Sequence, residues 1–305
     1  MDGPKESLRQ ALERRGLLLD GATGTELTRR GVATPLPLWS AGALRDHPDV
    51  VRAIHTDYVA AGADIIVANT FRSNVRTLRD AGLHEQGEAL NRVAVELARE
   101  ATKDVSPDRD NPIWIAASVA PVEDCYCPHL VPNERTLDNE HGRMVAWLAA
   151  AGADLIWIET MNTIREAKAA AHAASQAGLP LVISFVVKEN GDLLSGEPLE
   201  EAIVAVEPFE PVALGLNCIP PSGVTRNLPR LRAATSRPLL AYAHLGNPEP
   251  ITGWSFSQNI TPQAYAKEAA RWIELGARIV GGCCGTTPAH IAALRPLTKK
   301  FEGPP

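Results

Sequence analysis

Residues 60–69 read AAGADIIVAN, and residues 150–159 read AAGADLIWIE. A shorter echo, LGARIVGG, occupies residues 275–282. In each, a helical pattern ends at a glycine, a short polar step follows, and an apolar run begins. Gly62, Gly152 and Gly276 fit the position just past a helix, where a positive φ is needed. The apolar runs do not alternate with polar residues. That is the pattern of strands buried on both faces, as in a parallel sheet covered by helices.

The same unit extends along the chain. Apolar runs occur at Leu17–Leu19, Ile65–Ala68, Ile113–Ala117, Leu155–Ile158, Leu181–Val187, Val212–Leu216, Leu239–Ala243 and Arg278–Val280. Helical patterns lie between many of them. In His47–Ala61, Val50, Val51, Ile54, Tyr58 and Val59 recur at helical spacing. In Thr261–Leu275, Thr261 is the expected N-cap and Pro262 the first helical residue, with Tyr265, Ala269, Trp272 and Ile273 as the apolar stripe. Eight such units in 305 residues predict a single-domain (β/α)8 TIM barrel spanning residues 1–305. The rival is a doubly wound open sheet. Its dinucleotide-binding form loses support because no GxGxxG follows the first run.

Composition narrows the function. Hydrophobic residues make up 45% and charged residues 22%, as in an ordinary globular chain. The net charge, 30 − 36 = −6, argues against a nucleic-acid or anionic-membrane surface. No apolar run is long enough for a membrane span. The start, MDGPKESLRQALERRG, has no apolar segment of a secretion signal, so the cytoplasm is the expected compartment.

In a barrel, chemistry gathers at the C-terminal ends of the strands. There the first run leads into Asp20-Gly21-Ala22-Thr23-Gly24 and the second into Asn69-Thr70-Phe71. The fourth ends in Glu159-Thr160, the sixth in Asn217-Cys218, and the eighth in Gly281-Gly282-Cys283-Cys284-Gly285. Three of the five cysteines thus fall on one face. Three converging thiolates suit zinc, soft and tetrahedral, with one position open. Cys283 and Cys284 can share an ion only if the chain leaves the strand there, which Gly281, Gly282 and Gly285 would permit. Thr287-Pro288 reads as the start of a helix whose positive end would favour thiolates. Taken singly, Cys218 could be a small buried hydrophobe, and the vicinal pair could form a strained disulfide or merely pack. An ion with three thiolates is a poor Lewis acid but a good place to keep a fourth thiol nucleophilic. The chemistry suggested is attack by a substrate sulfur on an activated carbon.

The segments GATGTEL, GLNC at 215–218 and GGCCGTTPAHI at 281–291 resemble the zinc-dependent homocysteine S-methyltransferases, from about Leu17 to Leu294. That family includes enzymes using S-methylmethionine or S-adenosylmethionine, the betaine-dependent enzyme, and the homocysteine module of cobalamin-dependent methionine synthase. The resemblance implies the same barrel, zinc (Zn2+) as cofactor, homocysteine as acceptor and methionine as product. By position, Cys218, Cys283 and Cys284 correspond to the zinc ligands. Asp20 and Glu159 correspond to carboxylates that hold the substrate ammonium. The backbone of Gly21, Ala22 and Thr23 would take the substrate carboxylate, and Asn217 would orient groups beside the metal or simply satisfy backbone. Trp39, in PLPLWS, and Phe71, in NTFRSN, correspond to aromatics around a cationic methyl donor.

The PLWSA segment is closer to the S-methylmethionine enzymes than to the betaine enzyme, so a sulfonium donor is expected; betaine or another onium donor is the alternative. The chain departs from the family at AYAHLGNPEP after the seventh run, where His244 and Asn247 have no assigned role. A long insert, Pro121–Glu140, is a further departure. Within it Cys125, Cys127 and His129 form a C-x-C-x-H cluster. That spacing is not a zinc-finger pattern and lacks a fourth ligand, so an exposed, oxidisable loop is the plainer reading. A non-catalytic zinc-binding barrel is a different class of function, against which Asp20 and Glu159 both argue. A zinc hydrolase would call for an HExxH-type motif, which is absent. About 20 residues follow GGCCG, too few for a long exchanged arm, so a monomer or weak homo-oligomer is expected.

Overall fold

A computed structural model describes residues 6–105, 111–247, 255–256 and 260–298. Its sheet has eight parallel strands: β1 (Leu17–Leu18), β2 (Ile65–Ala68), β3 (Trp114–Val119), β4 (Leu155–Met161), β5 (Leu181–Phe185), β6 (Ala213–Asn217), β7 (Leu239–Ala243) and β8 (Ala277–Gly282). Each strand from β2 to β8 pairs with its successor, and β8 pairs with β1. A bridge between Leu19 and Ile65 closes the ring. The chain is a (β/α)8 barrel.

The outer helices are α2 (Thr23–Arg29), α3 (Pro48–Ala61), α4 (Gly87–Val105), α5 (Glu134–Ala150), α6 (Ile164–Gln176), α7 (Leu199–Val206), α8 (Pro221–Ala234), α9 (Pro262–Glu274) and α10 (Pro288–Thr298). They follow α1 (Leu8–Arg14), which precedes the barrel. Short helices at Ala43–Asp46 and Val75–Asp80 lie in the connections. Thr261 caps α9, its side chain accepting from the Ala264 amide, as its sequence position predicts.

The repeated AAGAD phrase has a physical basis. Gly62, Gly152 and Gly276 take φ of 105°, 80° and 98°, ending α3, α5 and α9. The aspartate two residues on reaches the neighbouring strand. Asp64 Oδ2 accepts from the Leu18 amide at 2.9 Å, and Asp154 Oδ2 from the Ile115 amide at 2.8 Å. In the third copy Arg278 takes the aspartate's place.

Two apolar layers explain the lack of alternation in the strands. Leu17, Leu19, Trp114, Ala116, Leu155, Trp157, Leu240 and Ile279 fill the barrel interior. Leu18, Ile66, Ile115, Ala117, Ile156 and Ile158 pack outward against the helices. Helix α1, absent from the sequence reading, closes the N-terminal end of the barrel, with Leu8, Ala11 and Leu12 in the interior layer. A capping box between Ser7 and Gln10 starts it.

Two expectations are corrected. Strands β3 and β4 run to Val119 and Met161, past their last aliphatic run, because polar residues at a barrel mouth can still pair. The Pro121–Glu140 insert is shorter than supposed, since α5 starts at Glu134 behind the N-cap Asn133. Most of His244–Asn259 lies outside the described residues; Gly246–Asn247 pairs antiparallel with Ser255–Phe256. Among the described residues no helix is long and apolar enough to cross a membrane.

Candidate active site at the barrel mouth

A cavity of about 490 Å3 opens at the C-terminal ends of the strands. Asp20, Gly21, Ala22, Thr23, Trp39, Phe71, Glu159, Cys218, Cys283 and Cys284 all line it. Asn217 does not. It stands behind the wall, fully buried, rather than where a substrate would touch it.

The cysteines meet because two strands end abruptly. Strand β8 stops at Gly282, and Cys283 opens a turn in which the Thr286 amide donates to the Cys283 carbonyl at 3.1 Å. Gly285, at φ 87°, carries the turn round against the Leu245 carbonyl and leaves no room for a side chain. Gly281 and Gly282 serve differently from the expectation. They remain in the strand, and their missing side chains admit Leu19 and Thr286. Helix α2 clamps the turn: Thr25 Oγ1 accepts from the Gly285 amide at 3.0 Å, and Arg29 donates to the Gly285 carbonyl.

On the other side of β7, Cys218 follows β6 with φ 51°, and Thr160 sits in β4 with φ 61°. Non-glycine residues in this region carry strain of order 1–3 kcal/mol each and persist only where neighbours over-determine them. Asn217 supplies that constraint. Its Oδ1 accepts from the Thr160 amide at 2.9 Å, and its Nδ2 donates to Thr160 Oγ1 at 2.7 Å. Thr160 Oγ1 in turn points at Cys218 Sγ from 3.6 Å. Asn217 thus positions the metal-ligand candidate through Thr160.

Cys218 Sγ and Cys283 Sγ lie 2.7 Å apart. Sulfurs on a tetrahedral ion with bonds near 2.3 Å stand about 3.8 Å apart, so this pair must separate by roughly 1 Å to seat one. Among the described residues no group of three or more Cys, His, Asp or Glu is already spaced as a cage. The donor set fits a soft ion all the same: three mutually interacting thiols with no hard oxygen among them. The Cys283 contact, with burial, holds the Cys218 thiol well above its ordinary range. The contact with Cys218 likewise raises Cys284, together with burial. For Cys283 the bond with Cys218 acts downward, but the Cys284 contact and burial outweigh it. Without a metal, all three are neutral thiols at pH 7.

Two carboxylates share the cavity, and among the described residues neither makes an ion pair. Glu159 Oε1 accepts from Ser118 Oγ at 2.5 Å, and Oε2 accepts from the Tyr242 hydroxyl at 2.9 Å. Tyr242 is itself held by Trp157 Nε1 and Ser184 Oγ, each at 2.9 Å. Burial raises the Glu159 carboxyl above its usual range, against those two hydrogen bonds. Burial also raises Asp20 well above its range. The Val67 amide, 2.9 Å from Oδ2, opposes that rise, and the Glu159 charge adds to it. A bound cation would relieve both groups at once.

One wall is aromatic. Trp39 and Phe71 meet edge-to-face with centroids 6.1 Å apart. A methyl group on Gly24 would come within 2.5 Å of the Trp39 ring, so this glycine admits the indole. Tyr126, from the loop after β3, joins the lining and was missed in the sequence. That loop is pinned from below: Glu166 Oε1 accepts from the Val122 amide at 2.8 Å, and Asn162 Nδ2 donates to the Cys125 carbonyl at 2.9 Å. The C-x-C-x-H cluster does not assemble. Cys125 and Cys127 line the cavity, whereas His129 does not. Nor is Cys125 exposed; burial pushes its thiol up to about 12, opposite to a readily oxidised cysteine. His244 and Asn247 also lie off the lining. Ser118 and Tyr242 were missed too. Their signal was a polar side chain at the end of an otherwise apolar strand.

The sequence profile of the homocysteine S-methyltransferase family matches residues 17–298. The selenocysteine methyltransferase of Astragalus bisulcatus is 31% identical over 95% of this chain and 94% of its own. The homocysteine S-methyltransferase of Escherichia coli K12 is 32% identical over 92% of this chain and 94% of its own. The crystal structure of the E. coli homocysteine methyltransferase MmuM in its metallated form superposes with a TM-score of 0.83 at 32% identity, covering 93% of this chain and 97% of that one.

Proposed function

The chain belongs to the homocysteine S-methyltransferase family, and from that premise we propose that it moves a methyl group from a sulfonium donor, S-methylmethionine above all, to the sulfur of homocysteine, giving methionine. The observation that carries this reading is the meeting, in one cavity, of three cysteines with two buried carboxylates that make no ion pair among the described residues.

Cys218, Cys283 and Cys284 would hold the metal, and the all-sulfur donor set favours zinc. Bound there, such an ion keeps an incoming thiol ionised at neutral pH. Glu159, fixed by Ser118 and Tyr242, and Asp20, fixed by the Val67 amide, would take the acceptor ammonium. The amides of Gly21–Thr23, where α2 begins with no side-chain cap, would take its carboxylate. Trp39, Phe71 and Tyr126 would face the sulfonium. A thiolate attacking a sulfonium methyl group cancels charge in the transition state, which an apolar, water-poor wall favours. Transfer is then a single in-line displacement: a sulfur–carbon bond forms as another breaks, and the leaving thioether carries no charge. No general base in the chain is required.

The test is a donor screen on metal-loaded protein with homocysteine, reading methionine. S-methylmethionine should give turnover above S-adenosylmethionine, dimethylsulfoniopropionate and betaine. Turnover with betaine alone would replace the donor and keep the acceptor chemistry. No methionine from any donor would leave a barrel without this activity. Selenocysteine, the acceptor in the name of the A. bisulcatus relative, is the natural competing acceptor in the screen.

A further inference from the structure

Arg72 has no part in the reading above, yet it lines the same cavity directly after Phe71. Among the described lining residues it is the one cation; the other charged groups there are Asp20, Asp124 and Glu159. Its Nε is shielded from solvent and makes no hydrogen bond. The contrast with Arg76, four residues on, is sharp: that guanidinium holds Glu140 through two nitrogens and Glu123 through one. Among the described residues Arg72 makes no ion pair, and a guanidinium at a cavity wall without a carboxylate partner is set up for an anionic ligand.

Its place narrows that ligand. The guanidinium carbon lies 5.9 Å from the centre of the Phe71 ring, which meets Trp39 edge-on. The Arg72 charge also reaches into the cavity: the Cys125 thiol, raised chiefly by burial, is drawn back in part by it. A fixed cation beside an aromatic wall for another cation is unfavourable unless a negative group stands between them. A methionine-derived sulfonium has that group built in. Its three-carbon chain, extended, sets the carboxyl carbon about 5 Å from the sulfur, comparable to the 5.9 Å between the guanidinium carbon and the Phe71 ring centre. In betaine one methylene separates the two ends by roughly 2.5 Å, too little to occupy the wall and the guanidinium together.

We propose that Arg72 is a donor-specificity residue: it binds the carboxylate of the methyl donor and so selects sulfonium amino acids over short onium acids and over sulfonium compounds without a carboxylate. This rests on the cavity being the methyl-transfer site. The acceptor carboxylate is left to the backbone of Gly21–Thr23 at the start of α2.

The experiment compares S-methylmethionine with its carboxyl methyl ester on metal-loaded wild type, Arg72→Met and Arg72→Lys. The wild type should favour the acid. In Arg72→Met, kcat/KM for the acid should fall about 10- to 100-fold through KM of the donor, while the ester's does not fall and KM for homocysteine stays put. Arg72→Lys should recover part of the acid preference, because it restores the charge without the fork. Equal losses for acid and ester, or a rise in the homocysteine KM instead, would overturn the proposal. Calorimetric titration of S-methylmethionine without homocysteine separates this from the parent reading. If wild type binds the acid and Arg72→Met does not, the assignment stands even where no methionine forms. Equal binding by both, or none by wild type, defeats it.

Discussion

Glu159 shows how a single side chain is prepared for a ligand that the fold itself does not supply. Its two oxygens are fixed by Ser118 and Tyr242, and burial still raises its carboxyl. Replacing it with Gln removes the charge at nearly constant shape; the amide oxygen still accepts from one hydroxyl, and the amide nitrogen must donate to the other. A charge-assisted hydrogen bond in such a site is worth roughly 1.5–3 kcal/mol, so Glu159→Gln should weaken homocysteine binding about ten- to hundredfold with metal content unchanged. Steady-state KM alongside metal analysis checks both halves; normal homocysteine affinity would remove Glu159 from ammonium recognition. His55 is a different case, a residue with structural cost alone. It is fully buried on α3, neither ring nitrogen has a partner, and burial lowers its pKa to about 4. Because the folded value lies below the unfolded one, the folded state binds fewer protons as pH falls through about 6.5. Stability should therefore hold above that pH and decline from there towards pH 4. His55→Leu should flatten that limb in urea melts measured between pH 7 and 4. An unchanged acid limb would show that other groups govern it.

At the level of elements, the barrel was legible because its repeat is enforced by backbone chemistry. The AAGAD phrase carries a left-handed glycine and an aspartate that ties one strand to the next, so the same letters recur wherever the same joint is built. The cysteine turn was equally legible, since vicinal cysteines bounded by glycines have few ordinary structural uses. What remained hidden depends on contacts between residues far apart in the sequence. Arg72 is one arginine among many until Phe71 and the cavity are seen together, and Tyr126 looked like part of an exposed loop. Asn217 was read as orienting groups beside the metal or satisfying backbone, and its bonds to Thr160, made from behind the cavity wall, could not be foreseen from the sequence. The junction of α2 with the aromatic wall gives a direct test of this packing. Gly24→Ala should displace the Trp39 indole, raise KM for the donor and leave KM for homocysteine near its original value. If both constants move together, α2 itself has shifted rather than the indole.

For the molecule as a whole, the barrel is closed at one end and chemically active at the other. Helix α1 fills the N-terminal end with Leu8, Ala11 and Leu12, all buried in the interior layer. Leu12→Ala should cost about 2–5 kcal/mol of stability without altering KM for either substrate, a separation that denaturant melts and kinetics on one preparation would reveal. A change in KM with little loss of stability would contradict the division between the two ends. At the mouth, the strained Cys218 after β6 and the cysteine turn after β8 bring three thiols together from the two strands that flank β7. We propose that these thiols hold a metal with a position left for the substrate's sulfur. X-ray absorption at the metal edge, recorded before and after adding homocysteine, tests it most directly. Three sulfur neighbours at about 2.3 Å are expected in the metal-loaded protein alone and four once homocysteine is bound. A sulfur shell that does not change on adding homocysteine, or one dominated by nitrogen and oxygen, would contradict it.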